Sequence, residues 1–306
     1  MMVFETFWTW LTARLASYIS VHAAQTAAAI EPAAVAAAVI YVMVLGYMHL
    51  RGSIDEPIVD GAIRILKLIL VFGVGLRLWA YHAVIVNLFF EAPNDLAARL
   101  IGARSPVTSI DTIWERGATV AATLWEKGSV LTGDSGFYFA GIAIYVLIGF
   151  VCVYTLFLIS LSRIALAVLL ALGPLFIVLT LFESTRRFFD AWVQELANYA
   201  LVSIITIMTA ALMLDLVQSY AAQTAARGEA LVTVDALNLA LAAGLVLLVL
   251  RQVLPIAARL AGGFALSTFG SVELMAQRVR SLAQATIVIA GGAIVSGSDE
   301  SGVRHK

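Results

Sequence analysis

The chain alternates long apolar runs with short polar interruptions, and the run lengths predict helices. Ala33–Leu50 is the first span, ended by Arg51-Gly52 and the turn Ser53-Ile54-Asp55-Glu56-Pro57. A second helix is expected from about Ile58 to Phe90, with Leu68–Val86 its best-buried part and Arg64 and Lys67 snorkelling to one interface. At 1.5 Å per residue it is roughly 50 Å long, more than a bilayer core of roughly 30 Å. Phe137–Ser160 is the third span, and Ser162-Arg163 reads as the polar break that ends it. Ile164–Phe182 is the fourth, Ala197–Leu216 the fifth (closing at Asp215), and Ala236–Val253 the sixth, stopped by Arg251 and Pro255. The pattern predicts an all-α polytopic integral membrane protein of about five to six apolar helices, one of them broken at Gly173-Pro174, with a small helical insert outside the membrane.

The remaining segments are amphipathic. Phe4, Phe7, Trp8, Leu11, Leu15 and Tyr18 recur at helical spacing, so residues 1–32 read as an amphipathic interfacial helix. The stretch 91–136 carries four basic and six acidic residues and reads as helices near 94–103 and 109–128, separated by Ser105-Pro106. Its apolar stripe, Ile110, Ile113, Trp114, Val120, Leu124 and Trp125, is too little for an independent core. That stripe must pack on the membrane part, on a second copy or on a partner. The domains expected are therefore 1–32, a transmembrane hairpin at 33–90, the insert at 91–136, a transmembrane core at 137–255, and an amphipathic, partly disordered tail at 256–306.

Composition agrees with the run lengths. Charged residues are 13% of the chain, hydrophobic ones 61%, and mean hydropathy is +0.95, whereas soluble domains carry about a quarter charged residues. The net charge of −1 shows no nucleic-acid footprint. The start of the chain lacks the basic region and small-residue cleavage site of a secretory signal. The single cysteine, Cys152, lies within an apolar run and reads as a packing thiol.

Catalytic chemistry is not signalled. The four histidines share no helical turn, and there is no phosphate loop or zinc-protease spacing. Gly133-Asp134-Ser135-Gly136 has the shape of a serine-protease motif, but no histidine stands where a general base would be needed, so a helix-start loop is the expectation. No cofactor or metal is expected. Arg77, near the middle of the second apolar helix, is costly in lipid and is a candidate cavity-lining residue, with Asp215 as a partner.

The segment Ala171–Tyr199 organises the rest. Gly173 and Pro174 break an apolar helix, because proline lacks an N–H and clashes with the preceding turn. The freed carbonyl must be satisfied by neighbouring protein or by water. A polar hinge, Glu183–Arg187, follows, and Arg186, Arg187, Phe188, Phe189 and Trp192 read as a membrane-boundary and contact group.

This segment resembles the TrbL/VirB-type polytopic inner-membrane subunit of bacterial type IV secretion and conjugation systems. The likeness is carried by Ala171–Ile177, Leu181-Phe182, Thr185-Arg186 and Phe189 through Trp192 to Tyr199. It implies a non-catalytic inner-membrane channel or assembly component, present in several copies, that helps translocate DNA or protein and assemble the pilus or stalk. The partners it implies are pilin and minor pilin, periplasmic-arch and scaffold subunits, secretion ATPases, membrane lipid and, transiently, the translocated DNA or protein. Trp114 and Trp125 are candidates for periplasmic contacts. The alternative is a small-molecule or ion permease. Lys and Arg placement puts the N-terminus and loop 91–136 in the periplasm. The family's cytoplasmic C-terminus then requires an odd number of crossings, and Ile164–Phe182 is the segment expected not to cross fully.

Overall fold

The computed structural model describes residues 3–51, 65–66, 68–69, 71–102, 107–127, 135–227 and 238–262. All regular structure among them is helical. The chain runs as α1 (Val3–Leu50), a π-helical turn (Val71–Gly75), α2 (Leu78–Tyr81) and a π-helix (His82–Glu91). Then come α3 (Ala92–Ile101), α4 (Thr108–Lys127), α5 (Ser135–Ala171), α6 (Gly173–Val178), a 3₁₀ turn (Leu179–Leu181), α7 (Glu183–Arg227) and α8 (Asn238–Gly262). Four of these, α1, α5, α7 and α8, are long and apolar enough to cross a membrane.

The helices join segments that the sequence pattern separates. The expected interfacial helix and first span are one helix, α1, which passes through Pro32. Alanines on both sides favour helix strongly enough to hold it across the one missing N–H. The third and fourth spans are likewise continuous to Ala171, so Ser162-Arg163 is not a break: both residues are buried within α5. The fifth span extends from Glu183 to Arg227, and the sixth continues past Pro255 to Gly262. The second apolar helix is interrupted instead, at Leu76-Arg77, and then winds as a π-helix. Its expected start at residues 58–64 lies outside the described residues, as do the tail elements beyond 262.

Packing directions follow from a few close contacts. α4 lies antiparallel along α5, with Trp114 against Gly149, Gly117 against Ile148 and Trp125 against Gly141. A Cβ on Gly117 or Gly141 would come within 2.6 Å of the facing side chain, so glycine is what lets the two helices approach. The apolar stripe of the 91–136 insert thus packs on the apolar part of the chain. α7 runs antiparallel to α5, since Trp192 meets Leu169 while Ser203 sits near Arg163 through Asn94. α8 returns against α7, bringing Gly262 beside Gln194. α1 runs parallel to α5: Trp8 is near Arg163 and Tyr41 is near Phe182.

Two apolar cores result. One joins α4, the N-terminal part of α5, the C-terminal part of α7, and α8 through Ile110, Ile113, Leu124, Ile148, Ile207 and Leu250. The other surrounds the helix break through Ile19, Val71, Tyr81, Phe90, Leu170, Ile177 and Trp192. The outward faces stay apolar, with Phe139, Val146, Phe150, Val153 and Phe157 exposed along α5. Such a face suits hydrocarbon.

Candidate functional site

The first feature is the break itself. α5 ends at Ala171, with Leu172 N–H donating to Val168 O at 3.3 Å as its last bond. Pro174 has no N–H to offer the carbonyl of Leu170, four residues back. Tyr81 fills that position: its hydroxyl donates to Leu170 O at 2.6 Å. Trp192 Nε1 donates to the neighbouring Leu169 O at 2.9 Å. Both orphan carbonyls are therefore capped by side chains from other elements, as an apolar surrounding demands. Gly173 is what admits these donors, because a Cβ there would overlap the Tyr81 hydroxyl and press on the Trp192 ring. Ile177 of α6 packs on Gly75 so closely that a Cβ on Gly75 would lie 2.7 Å from its Cγ2.

After the 3₁₀ turn, Phe182 is extended (φ −108, ψ 137) and reverses the chain into α7. Thr185 Oγ1 donates to Leu179 O at 2.6 Å and fixes the reversal. The residues expected at a membrane boundary divide here. Arg187 and Phe188 are exposed, the guanidinium 5.1 Å from the ring centroid, and Arg186 is half-buried. Phe189 and Trp192 turn inward, Trp192 stacking on Phe176 at 5.7 Å. Trp192 is thus an internal cap of the break and not a boundary aromatic, because α7 begins at Glu183 and carries position 192 onto its buried stripe with Leu196. Trp114 and Trp125 are half-buried and flank Tyr145 of α5 at 4.9 and 5.7 Å. Arg77 is exposed, in extended backbone between the π-turn and α2, and forms no ion pair with the exposed Asp215.

The second feature is one the run-length reading missed. Arg163 is 3% exposed. Its Nη1 donates to Phe90 O, and Nε donates at 2.7 Å to Oδ1 of Asn94, toward which Nη2 also points. This orientation of the Asn94 amide leaves Nδ2 to donate to Ser203 Oγ at 3.0 Å; the reverse would set an NH₂ against the guanidinium. The Arg163 guanidinium lies 4.2 Å from the Phe90 ring centroid and 5.5 Å from that of Trp8. Glu91 and Asp95 supply the nearby negative charge. One buried side chain thus gathers α1, the π-helix, α3 and, through Asn94, α7 onto α5. The sequence did hold a signal. Ile159, Ser162, Arg163, Leu166 and Leu170 fall on one helical face, so the arginine lies on a buried stripe.

A third polar contact ties the ends of two helices. The buried Asp111 of α4 accepts from the backbone N–H of Phe4 at 3.2 Å and of Glu5 at 3.0 Å. First-turn amides have no partner within their own helix, and a carboxylate there also meets the positive end of the helix dipole. Asp111 therefore docks the start of α1 on α4.

Chemically, these groups pin helices. No cluster of three or more His, Cys, Asp or Glu able to hold a metal is present among the described residues. Ser135 opens α5, and Gly133-Asp134 lies outside the described residues.

Comparison with known proteins places this architecture. The family described as TrbL/VirB6 plasmid conjugal transfer protein matches residues 38–253. Type IV secretion system protein VirB6 of Bartonella henselae is 25% identical over 185 residues, covering 58% of this chain and 55% of that protein. VirB6 of Brucella abortus biovar 1 is 26% identical over 230 residues, covering 69% and 65%. An uncharacterized protein of Rickettsia prowazekii is 27% identical over 175 residues, but these are 20% of its own length. The chain thus spans 55 to 65% of the length of these VirB6 relatives. The family match takes in the helix break and the Arg163–Asn94–Ser203 cluster over well more than half of the chain, and the chain belongs to the TrbL/VirB6 plasmid conjugal transfer protein family.

Proposed function

We propose that this multi-pass inner-membrane protein is a non-catalytic component of a type IV secretion system, helping DNA or protein pass and helping the pilus or stalk assemble. The family match over residues 38–253 carries the reading. The geometry supports a structural role, since the buried polar side chains at the break and at Arg163 are engaged with backbone carbonyls or with one another. Several copies would act together, with pilins, periplasmic-arch and scaffold subunits and secretion ATPases as partners.

The helix directions support the expected sidedness. Take the start of α1 as periplasmic. Then α1 runs inward, Tyr81–Asn94 runs back antiparallel to α5, α5 with α6 runs inward, α7 outward and α8 inward. Counting the stretch that holds Tyr81–Asn94 as a fifth passage beside the four helices long enough to cross gives a cytoplasmic exit at Gly262, with α5 and α6 making one passage together. Arg186 and Arg187 then stand at the cytoplasmic turn, where basic residues are favoured.

The test is gene deletion and complementation in the native bacterium, combined with photo-crosslinking from Glu115 and Glu126, exposed positions on α4. Loss of secretion on deletion, restored by the gene, with adducts to secretion subunits or a second copy, is expected. Unchanged secretion together with solute flux through the purified protein in proteoliposomes would overturn the reading in favour of a permease, for which the broken helix is the observation in favour.

A further inference from the structure

The segment between Tyr81 and Asn94 is fastened to α5 at both ends. Tyr81 is bound to Leu170 O, while Phe90 O and Asn94 are bound to Arg163. On α5 these anchor points are seven residues apart, about 10.5 Å at 1.5 Å per residue. On the segment, Tyr81 and Phe90 are nine residues apart, which an α-helix would stretch to about 13.5 Å. Facing matters as much as length. Nine α-helical residues make about two and a half turns, which would point Tyr81 and Phe90 to opposite sides. The observed winding is a π-helix, His82–Glu91. Its i→i+5 bonds give about four and a half residues per turn and a shorter rise, so nine residues make about two turns. Tyr81, Val86 and Phe90, spaced five and four apart, are then all buried on one face.

We propose that the Tyr81–Asn94 segment is a two-state element, held in the π winding by its two anchors, which rewinds toward α-helix when either anchor opens. Rewinding lengthens the segment by about 3 Å and turns α3 relative to the Gly173-Pro174 break. The Arg163 anchor is also the one that Trp8 covers, and α1 is docked beside it by Asp111. Displacement of the start of α1 is therefore the event that reaches this element, and through it the helix break. This coupling requires only the contacts within the chain and is independent of which substrate the protein serves.

The experiment uses the full chain in nanodiscs, with spin labels at the exposed Leu78 and Leu96 flanking the segment. Inter-label distances are read by pulsed electron resonance in the parent, in Tyr81→Phe, which keeps the ring and removes only the hydroxyl, and in Arg163→Gln. A lengthening of about 3 Å in either variant is expected. A double-residue deletion of the exposed Asn87 and Leu88 leaves seven residues between the anchors, which as α-helix span about 10.5 Å in about two turns. That variant is expected to keep both anchors, and its label distance should then be insensitive to added Tyr81→Phe. Distances unchanged in both point variants, or distributions that broaden without lengthening, would overturn the proposal. Loss of secretion with these distance results intact would bear on the functional reading alone.

Discussion

Replacing Arg163 with leucine tests whether the buried arginine is a pin or a tolerated passenger. The substitution removes the donors to Phe90 O and Asn94 Oδ1. A buried acceptor left unpaired costs about 1–3 kcal/mol. It also removes the guanidinium from the faces of Phe90 and Trp8, a further loss of about 0.5–2 kcal/mol. Against these stands a gain, because the desolvation cost of a buried cation disappears with it. The balance depends on whether the partners are left behind. With Phe90 O and Asn94 both orphaned, the single variant should be destabilised by about 2–4 kcal/mol.

Asn94→Leu alone should cost about 1–3 kcal/mol, since the guanidinium keeps only Phe90 O and Ser203 loses its partner. In Arg163→Leu/Asn94→Leu there is no stranded amide and no stranded cation. Ser203 can turn to the carbonyl of its own preceding helical turn, as Thr206 already does to Val202 O. The double variant should therefore be more stable than the sum of the singles by about 1–2 kcal/mol. The assay is reversible unfolding in mixed micelles, with the four proteins compared as a double-mutant cycle. Additivity within about 0.5 kcal/mol, or an Arg163→Leu variant more stable than the parent, would refute the reasoning.

Gly173→Ala should destabilise the fold by about 1–3 kcal/mol through overlap with Tyr81, and Tyr81→Phe added to it should recover part of that loss; equal melting of Gly173→Ala and parent would count against the close approach. Asp111→Ala should lower hydrogen-exchange protection in the first turn of α1 while leaving α5 unchanged, at about 1–2 kcal/mol, and Asp111→Asn should retain more; uniform loss across both helices would argue against local docking. Gly141→Ala should separate α4 from α5 at Trp125, read as a shift in indole fluorescence and a lower melting temperature, with about 1–3 kcal/mol lost. Pro174→Ala should leave membrane insertion intact but reduce recovery of the assembled complex, because a new N–H competes with Tyr81 for Leu170 O; wild-type secretion and complex recovery would contradict this.

The helix break was legible because its cause is local: a proline without an N–H stops a helix wherever it cannot be bridged. Its partners were not legible, since Tyr81 lies 89 residues from Leu170 and Trp192 lies 23 from Leu169. A sequence states that a carbonyl will need a donor without saying which one. Even the proline rule has a context. Pro32 and Pro255 sit inside continuous helices, Pro32 between strong helix formers and both on exposed faces. The stretch 71–91 did carry a mark of its winding, since its four polar residues, Arg77, His82, Asn87 and Glu91, are spaced five, five and four apart, but a run-length reading of an apolar helix passes over so sparse a period.

Arg163 shows what polarity inside an apolar run can mean. A charge there has two physical explanations, a membrane boundary with water beside it or an internal partner that replaces water. Run length cannot distinguish them, and the boundary reading cut one helix into two spans. Helical phase can, because an arginine in step with Ile159, Leu166 and Leu170 must be buried with them if the helix continues. Once buried it must find acceptors, and it finds them in the carbonyl of Phe90 and the amide of Asn94. The docking of α3 and the covering of Arg163 by Trp8 then follow from one requirement, that a cation inside an apolar bundle be surrounded. Under the proposed topology, joining the two spans around that cation also makes the number of passages odd, because the short α6 would continue the passage that α5 begins.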